Sequence, residues 1–340
     1  MNRPRKTLLF AALVIGVLSA VLIAMRIRHP RPAAPDTPTR DQVRLAVALQ
    51  PSSALAIIAS ENGYFGDEGL DVTLSTSVSG KRALAALLVG EVDAATTAQV
   101  PIVLAAFEHS NFSTVAAIAS LTNVERVVAR ADRGIAKPAD LRAKRVATQR
   151  GSAVHFFLHM FLLKNGLSEK DIELSFLKAE ELPGALERGT IDAFSMREPY
   201  VSQATALLGD RAVVFMEPGI YFRTEHLAVS NHYITLKPGG VHKMIRALLR
   251  AEEFARTDPE GAVRIVAAAL KVRQSKLASS WPEFRLKVGL DQSILSSMED
   301  QAMWAIGARL TDKSQFPNFL PFIHVECLEA VRPEAITVIH

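Results

Sequence analysis

From Asp41 onward, short β-rich runs alternate with stretches of helical periodicity, and this cadence constrains the fold more than any single motif does. Residues 43–49 (VRLAVAL) alternate like a strand, 53–62 read as a helix ending at Gly63, and 70–76 form a second strand. Residues 81–89 place Leu84, Leu87 and Leu88 on one helical face, a core stripe that stops at Gly90. A short buried strand at 92–95 and a helix at 102–108 complete a βαβαβα succession, which predicts a parallel sheet with helices on both faces. The cadence then resumes. Strands are expected at 124–130, 145–148, 172–177, 191–195, 212–216 and 226–230, with helices at 138–143, 153–165 and 182–188. A helical region follows from 241 to about 310, and 335–339 reads as a last strand. Two α/β lobes with a cleft between them are the natural result, and open α/β sheets take ligands beyond the carboxyl ends of their strands.

Charge separates the N-terminus from this body. Arg3, Arg5, Lys6, Arg26, Arg28, Arg31 and Arg40 face a single acid, Asp36, so the first forty residues carry +6 of an overall +4 and the rest sums to −2. A nearly neutral body disfavours a nucleic-acid partner. Residues 8–25 (LLFAALVIGVLSAVLIAM) are free of charge and approach a bilayer span. With poor small-residue cleavage positions and Arg26 and Arg28 following at once, residues 1–28 read as an uncleaved signal anchor, a cleaved signal peptide being the alternative. Residues 29–41 form a Pro-rich linker. The one cysteine, Cys327, excludes a disulfide framework and a multi-cysteine zinc site, and its apolar neighbours suggest an inert core thiol.

The strand-end rule selects five candidate loops: 50–53, 77–81, 96–99, 149–152 and 196–198. Their side chains are mostly hydroxyls and amides, suited to reversible hydrogen bonding, and several run into helix starts that favour an anion. Ser79-Gly80-Lys81 evokes a phosphate loop, yet the first glycine of that motif would fall at Ser75 and Arg82 follows the lysine, so the motif is rejected. An ordinary N-cap and an anion-contacting turn remain the two readings there. His155 and His159, four apart on a helix, could hold a metal or simply pack. Glu180-Glu181 reads as a solvated first helical turn. Arg197 and Glu198 follow a buried strand, and they either pair locally or meet a ligand to which Arg197 offers a planar fork.

Four segments in order resemble one family. They are GYFGDEGLDV (63–72), LLVGEVDAATTAQVP (87–101), KPADLRAKRVATQRGSAVHFFL (137–158) and ALERGTIDAFSMREPY (185–200). They are similar to the periplasmic substrate-binding proteins of nitrate, sulfonate, taurine and pyrimidine-precursor ABC transporters, the SsuA/NMT1-like family. The resemblance implies a type II periplasmic-binding fold, two α/β lobes joined by two hinge strands and preceded here by the N-terminal hydrophobic helix. It implies lobe 1 at 42–124 plus 228–340, lobe 2 at 125–227, and hinges near 122–126 and 224–230. It places ligand contacts at Gln50, Ser53, Ser79, Gly80, Thr96, Thr97, Gly151, Ser152, Arg197 and Glu198. Many members carry an aromatic residue before the Glu-Pro; Arg197 stands there in this chain and leans towards an anion.

The expected function is the substrate-binding component of an ABC importer, not an enzyme, closing reversibly on a small organic anion without metal or cofactor. Its expected partners are that anion, a permease in the inner membrane and, through the N-terminal helix, the membrane itself. The chain is expected to be monomeric and periplasmic, anchored to the inner membrane or secreted if the signal is cleaved. One alternative is a membrane-anchored ligand-sensing ectodomain. Another is an enzyme resembling thiamin-pyrimidine synthases, which use a cysteine-rich loop that one cysteine cannot supply.

Overall fold

The computed structural model describes residues 40–339; the expected anchor (1–28) and all but the end of the expected linker lie outside the described residues. Two sheets organise the chain. Strands β1 (Asp41–Ala48), β2 (Leu70–Ser77), β3 (Ala94–Ala98), β4 (Phe112–Leu121), β10 (Arg223–Ser230) and β11 (Phe284–Gly289) form the first, in the order β11-β4-β10-β3-β1-β2. The second holds β5 (Arg126–Arg130), β6 (Arg145–Thr148), β7 (Glu173–Phe176), β8 (Ala193–Met196) and β9 (Ala212–Phe215), in the order β7-β6-β8-β5-β9.

Both sheets are mixed, which corrects the expectation of parallel pairing. β1 runs parallel to β2 from Asp41↔Leu70 to Ala48↔Ser77 and parallel to β3, as the βαβ pattern requires. β10, however, is antiparallel to both β3 and β4, and in the second sheet β5 is antiparallel to both β8 and β9. Topology explains the reversals. The chain leaves the first sheet from the end of β4 across 122–125 and returns across 216–222, so the strand just past each crossing runs against its neighbours. The return crossing lies before the expected 224–230 hinge, which is itself part of β10.

Helices α1 (Ala54–Glu61), α2 (Gly80–Leu88) and α3 (Gln99–Ala106) follow β1, β2 and β3; α4 (Ala153–Lys164), α5 (Leu182–Arg188) and α6 (Tyr200–Leu208) follow β6, β7 and β8. One large apolar core built on Leu45, Ile58, Leu84, Ile118 and Leu248 supports the first sheet. Alternation along β5 sends Val127 and Ala129 into a core with Phe157 and Phe161, and Val128 into another with Leu182 and Phe194, so the second sheet is covered on both faces. The C-terminal region supplies α7 (Pro238–Thr257), α8 (Pro259–Leu270), α9 (Gln274–Ser280) and α10 (Ser293–Gly307).

Helix α10 serves both sheets. Its Ile294, Met298 and Ala302 pack in the first core, whereas Trp304 and Ala305 pack with Phe156 and Phe157 in the second. Residues 335–339 are not a strand: a 3-10 turn at Pro333–Ala335 leaves only an isolated bridge between Leu290 and Ile336. Among the described residues no helix is long and apolar enough to cross a membrane.

Candidate functional site

The carboxyl ends of β1, β2 and β3 deliver their chain directly into helix starts. β1 passes through Leu49 and Gln50 into a 3-10 turn, Pro51–Ser53, that opens α1. β2 reaches α2 through Ser79, and β3 runs without a loop into α3. From the second sheet, 149–152 lead into α4 and 197–199 into α6, with a cis Glu198–Pro199 peptide between them.

A carboxylate that the sequence reading did not select organises the first loop. Glu225, on β10, is wholly buried. Its Oε1 accepts from Gln50 Nε2 at 2.7 Å and, at longer range, from Ser53 Oγ at 3.5 Å. Its Oε2 accepts from Ser52 Oγ at 2.9 Å and from Arg223 Nη2 at 2.9 Å. Arg223 is buried too, and its Nη1 also donates to Glu125 Oε1 at 3.4 Å. Burial alone would lower the pKa of Arg223, but Glu225 and Glu125 raise it, so the guanidinium is firmly charged.

Arg197 joins this cluster from the second sheet. Its Nη2 donates to Gln50 Oε1 at 3.0 Å, so the Gln50 amide stands between Arg197 and Glu225 with its oxygen on one and its nitrogen on the other. Burial, helped by the like charge of Arg223, lowers the Arg197 pKa to about 10, and the group is still a cation at neutral pH. Tyr221 lies near the same acids. Burial, then Glu125, pushes its phenol far above the usual range, and its buried Oη has no hydrogen-bond partner.

The other expected residues fall into three groups. Ser53 and Thr96 share a hydrogen bond at 3.0 Å, and Thr96 Oγ1 also accepts from Ala48 N–H at 2.9 Å, so these two hold β1 and β3 in register beneath the loop. Ser79 is an N-cap, its Oγ accepting from Arg82 N–H at 3.4 Å, and Gly80 is there for space: a Cβ would lie 2.8 Å from Thr97 Cα. Thr97 Oγ1 donates to the neighbouring carbonyl of Ala98 at 3.3 Å. Ser152 Oγ donates to Gln149 O at 2.6 Å, and Gly151, at φ +59°, packs so close to Leu104 of α3 that a Cβ would lie 2.8 Å from it. Glu198 diverges from Arg197. It is exposed, accepts from Ser202 Oγ at 2.7 Å and meets Lys276 Nζ of α9 at 3.1 Å. The structure therefore brings Gln50, Ser53, Thr96 and Arg197 together, sets Ser79, Gly80 and Thr97 at the neighbouring α2 start, and turns Glu198 to the rim.

His155 and His159 do share a partner. His155 Nε2 and His159 Nδ1 lie 3.6 and 3.4 Å from Glu169 Oε1, which also accepts from Trp304 Nε1 at 3.2 Å. Burial opposes the Glu169 charge, yet these donors hold its carboxyl well below the usual range. Among the described residues no group of three or more His, Cys, Asp or Glu could hold a metal ion. Gly151 N–H donates to His155 Nδ1 at 3.3 Å, and both histidine rings pack against Trp304, so they lie between the 149–152 loop and α10. A cavity of about 1150 Å³ lies beside them, lined in part by Phe156, His159, Glu169, Tyr221, Gln301 and Trp304; none of the ten expected site residues borders it. Cys327 is buried, and burial followed by Glu326 pushes its thiol up to about 11, which leaves it unreactive.

Residues 50–262 match the family model described as NMT1/THI5 like. A putative binding protein of Brucella abortus (strain 2308) is 26% identical over 229 residues, 66% of this chain and 70% of that protein. A putative aliphatic sulfonates-binding protein of Escherichia coli (strain K12) is 29% identical over 135 residues, 40% of this chain and 42% of its own length. Among solved structures, the alkanesulfonate-binding protein SsuA from Xanthomonas axonopodis pv. citri, bound to MOPS, superposes with a TM-score of 0.73 at 21% identity, covering 84% of this chain and 98% of that one. The α/β fold with its two mixed sheets is thus that of the SsuA-type periplasmic binding proteins.

Proposed function

Because the chain belongs to the NMT1/THI5-like family, we propose that it is the substrate-binding component of an ABC importer, a receptor and not an enzyme, that closes on a small organic anion of the sulfonate, taurine or nitrate class. The lobes are the two sheets with their helices; since β10 belongs to the first sheet, they run 41–121 plus 223–339 and 126–215, moving about the crossings at 122–125 and 216–222. One observation carries the reading. The Arg197–Gln50 hydrogen bond at 3.0 Å joins loops at the carboxyl ends of strands from both sheets, and it engages only one nitrogen of a cationic fork. The other edge of that fork is suited to two oxygens of a sulfonate or carboxylate. Ligand contacts made from both lobes would bias an open and closed equilibrium towards closure. Relatives named as aliphatic sulfonates-binding and periplasmic taurine-binding proteins support the ligand class and a periplasmic location. The partner is a permease in the inner membrane, to which residues 8–25 tether a monomer, or from which a cleaved chain is free.

Calorimetric titration of the purified protein with alkanesulfonates, taurine, nitrate and pyrimidines tests the proposal. At least one anion should bind, and R197A should weaken it about a hundredfold. A folded protein that binds none of them overturns the reading.

A further inference from the structure

The exit of β1 already holds an anion of its own. Gln50, Ser52 and Ser53 stand where β1 passes through the 3-10 turn into α1, the strand end at which a ligand's charge is expected. All three donate instead to the Glu225 carboxylate, at 2.7, 2.9 and 3.5 Å, and both of its oxygens are engaged. Glu125, at 2% exposure, adds a second buried carboxylate beside the same Arg223. Arg197, Arg223, Glu125 and Glu225 together sum to no net charge.

Resting on the reading of this cleft as an anion site, we infer that Glu225 is its charge selector, a resident carboxylate that confines a ligand's charge to the outer edge of Arg197 and so favours monoanions over dianions of the same shape. The reason is local electrostatics. Arg223 is committed to the two buried acids, which leaves the Arg197 fork to neutralise one incoming charge. A second negative charge would face Glu225 and Glu125 in a poorly solvated site, where repulsion is weakly screened. Gln50 is a positioning residue in this scheme: it sets the Arg197 fork against Glu225 and is not itself a ligand donor.

Methanesulfonate and sulfate make the test, since they are tetrahedral oxyanions of similar size with one and two charges at neutral pH. In titrations of the full chain at constant ionic strength, the wild type should prefer methanesulfonate by about tenfold or more. E225Q keeps the side-chain shape and removes the charge; it should narrow the preference to within about threefold, with circular dichroism confirming its fold. A wild-type protein that holds sulfate as tightly as methanesulfonate overturns the inference whether or not the variant folds. A folded E225Q that keeps the wild-type ratio overturns it as well, while leaving the receptor reading intact. Binding of neither anion by the wild type overturns the inference, and the receptor reading falls with it only when taurine, longer alkanesulfonates, nitrate and pyrimidines also fail to bind; that result differs from the first two, in which methanesulfonate is held.

Discussion

His226 shows how a single buried ring ties this fold to pH. It lies inside β10, fully buried, with Nε2 at 2.7 Å from Thr224 Oγ1 and Nδ1 without a partner. Burial lowers its pKa to about 3. The unfolded chain takes up this proton below about pH 6.5, whereas the folded chain refuses it until about 3, so stability falls as pH drops through that window, by up to about 1.4 kcal/mol per pH unit. Scanning calorimetry should find the wild-type melting temperature declining between pH 6.5 and 4, and declining less steeply in H226Q. The residues of the candidate site were only half legible. Strand-end logic located Gln50, Ser53, Thr96 and Arg197, because it depends on where strands stop. It passed over Arg223 and Glu225, which lie within a strand. Their signal was present nonetheless: two opposite charges two positions apart in RTEHLAVS share a face of an otherwise apolar run, and buried charges need partners.

At the scale of elements, sequence patterns served best where periodicity and a terminating glycine coincided, as at α2 and α5. They failed at β4, FSTVAAIASL, because a strand buried along nearly its whole length has no alternation to show. β11 (FRLKVG) alternates well but is flanked by helices, and the helical reading of 241–310 absorbed it. The β-rich run at 335–339 found no strand to pair with, so propensity alone did not make it one. Helix α10 was read as a helix, yet its role depends on tertiary contacts. Gln99 fixes its first half by donating to Ile294 O at 2.9 Å and accepting from Ser297 Oγ and Gln301 Nε2, while Trp304 fixes its second half to Glu169. Movement of one sheet against the other must disturb Trp304. The chain has two tryptophans, so W281F leaves Trp304 as the sole indole; its emission should shift on addition of a bound sulfonate, whereas W304F, reporting from Trp281, should remain unchanged. Fluorescence titration decides between these outcomes.

For the whole molecule, exposed polar contacts connect elements that flank the first sheet to elements that flank the second. Lys276 of α9 reaches Glu198 and Ser202, Lys81 Nζ donates to Arg150 O at 2.9 Å, and Arg150 Nη2 donates to Arg309 O at 3.1 Å. Such exposed bonds contribute little to stability, but a small bias suffices to move a two-state equilibrium. K276A should leave the urea midpoint almost unchanged, raise the ligand dissociation constant about two- to fivefold, and enlarge the radius of gyration of the ligand-free protein in X-ray scattering. The order of the strands has a consequence of another kind. The second sheet uses one unbroken stretch of chain, 126–215, while the first needs β10, an interior strand made only after all of the second has been synthesised. On the ribosome, then, the inserted sheet can finish first, and β4 waits unpaired beside β3 until β10 emerges between them. Glu225 and Arg223 arrive on that late strand, so their cluster with Gln50, Ser52 and Glu125 is assembled in the same step that closes the first sheet.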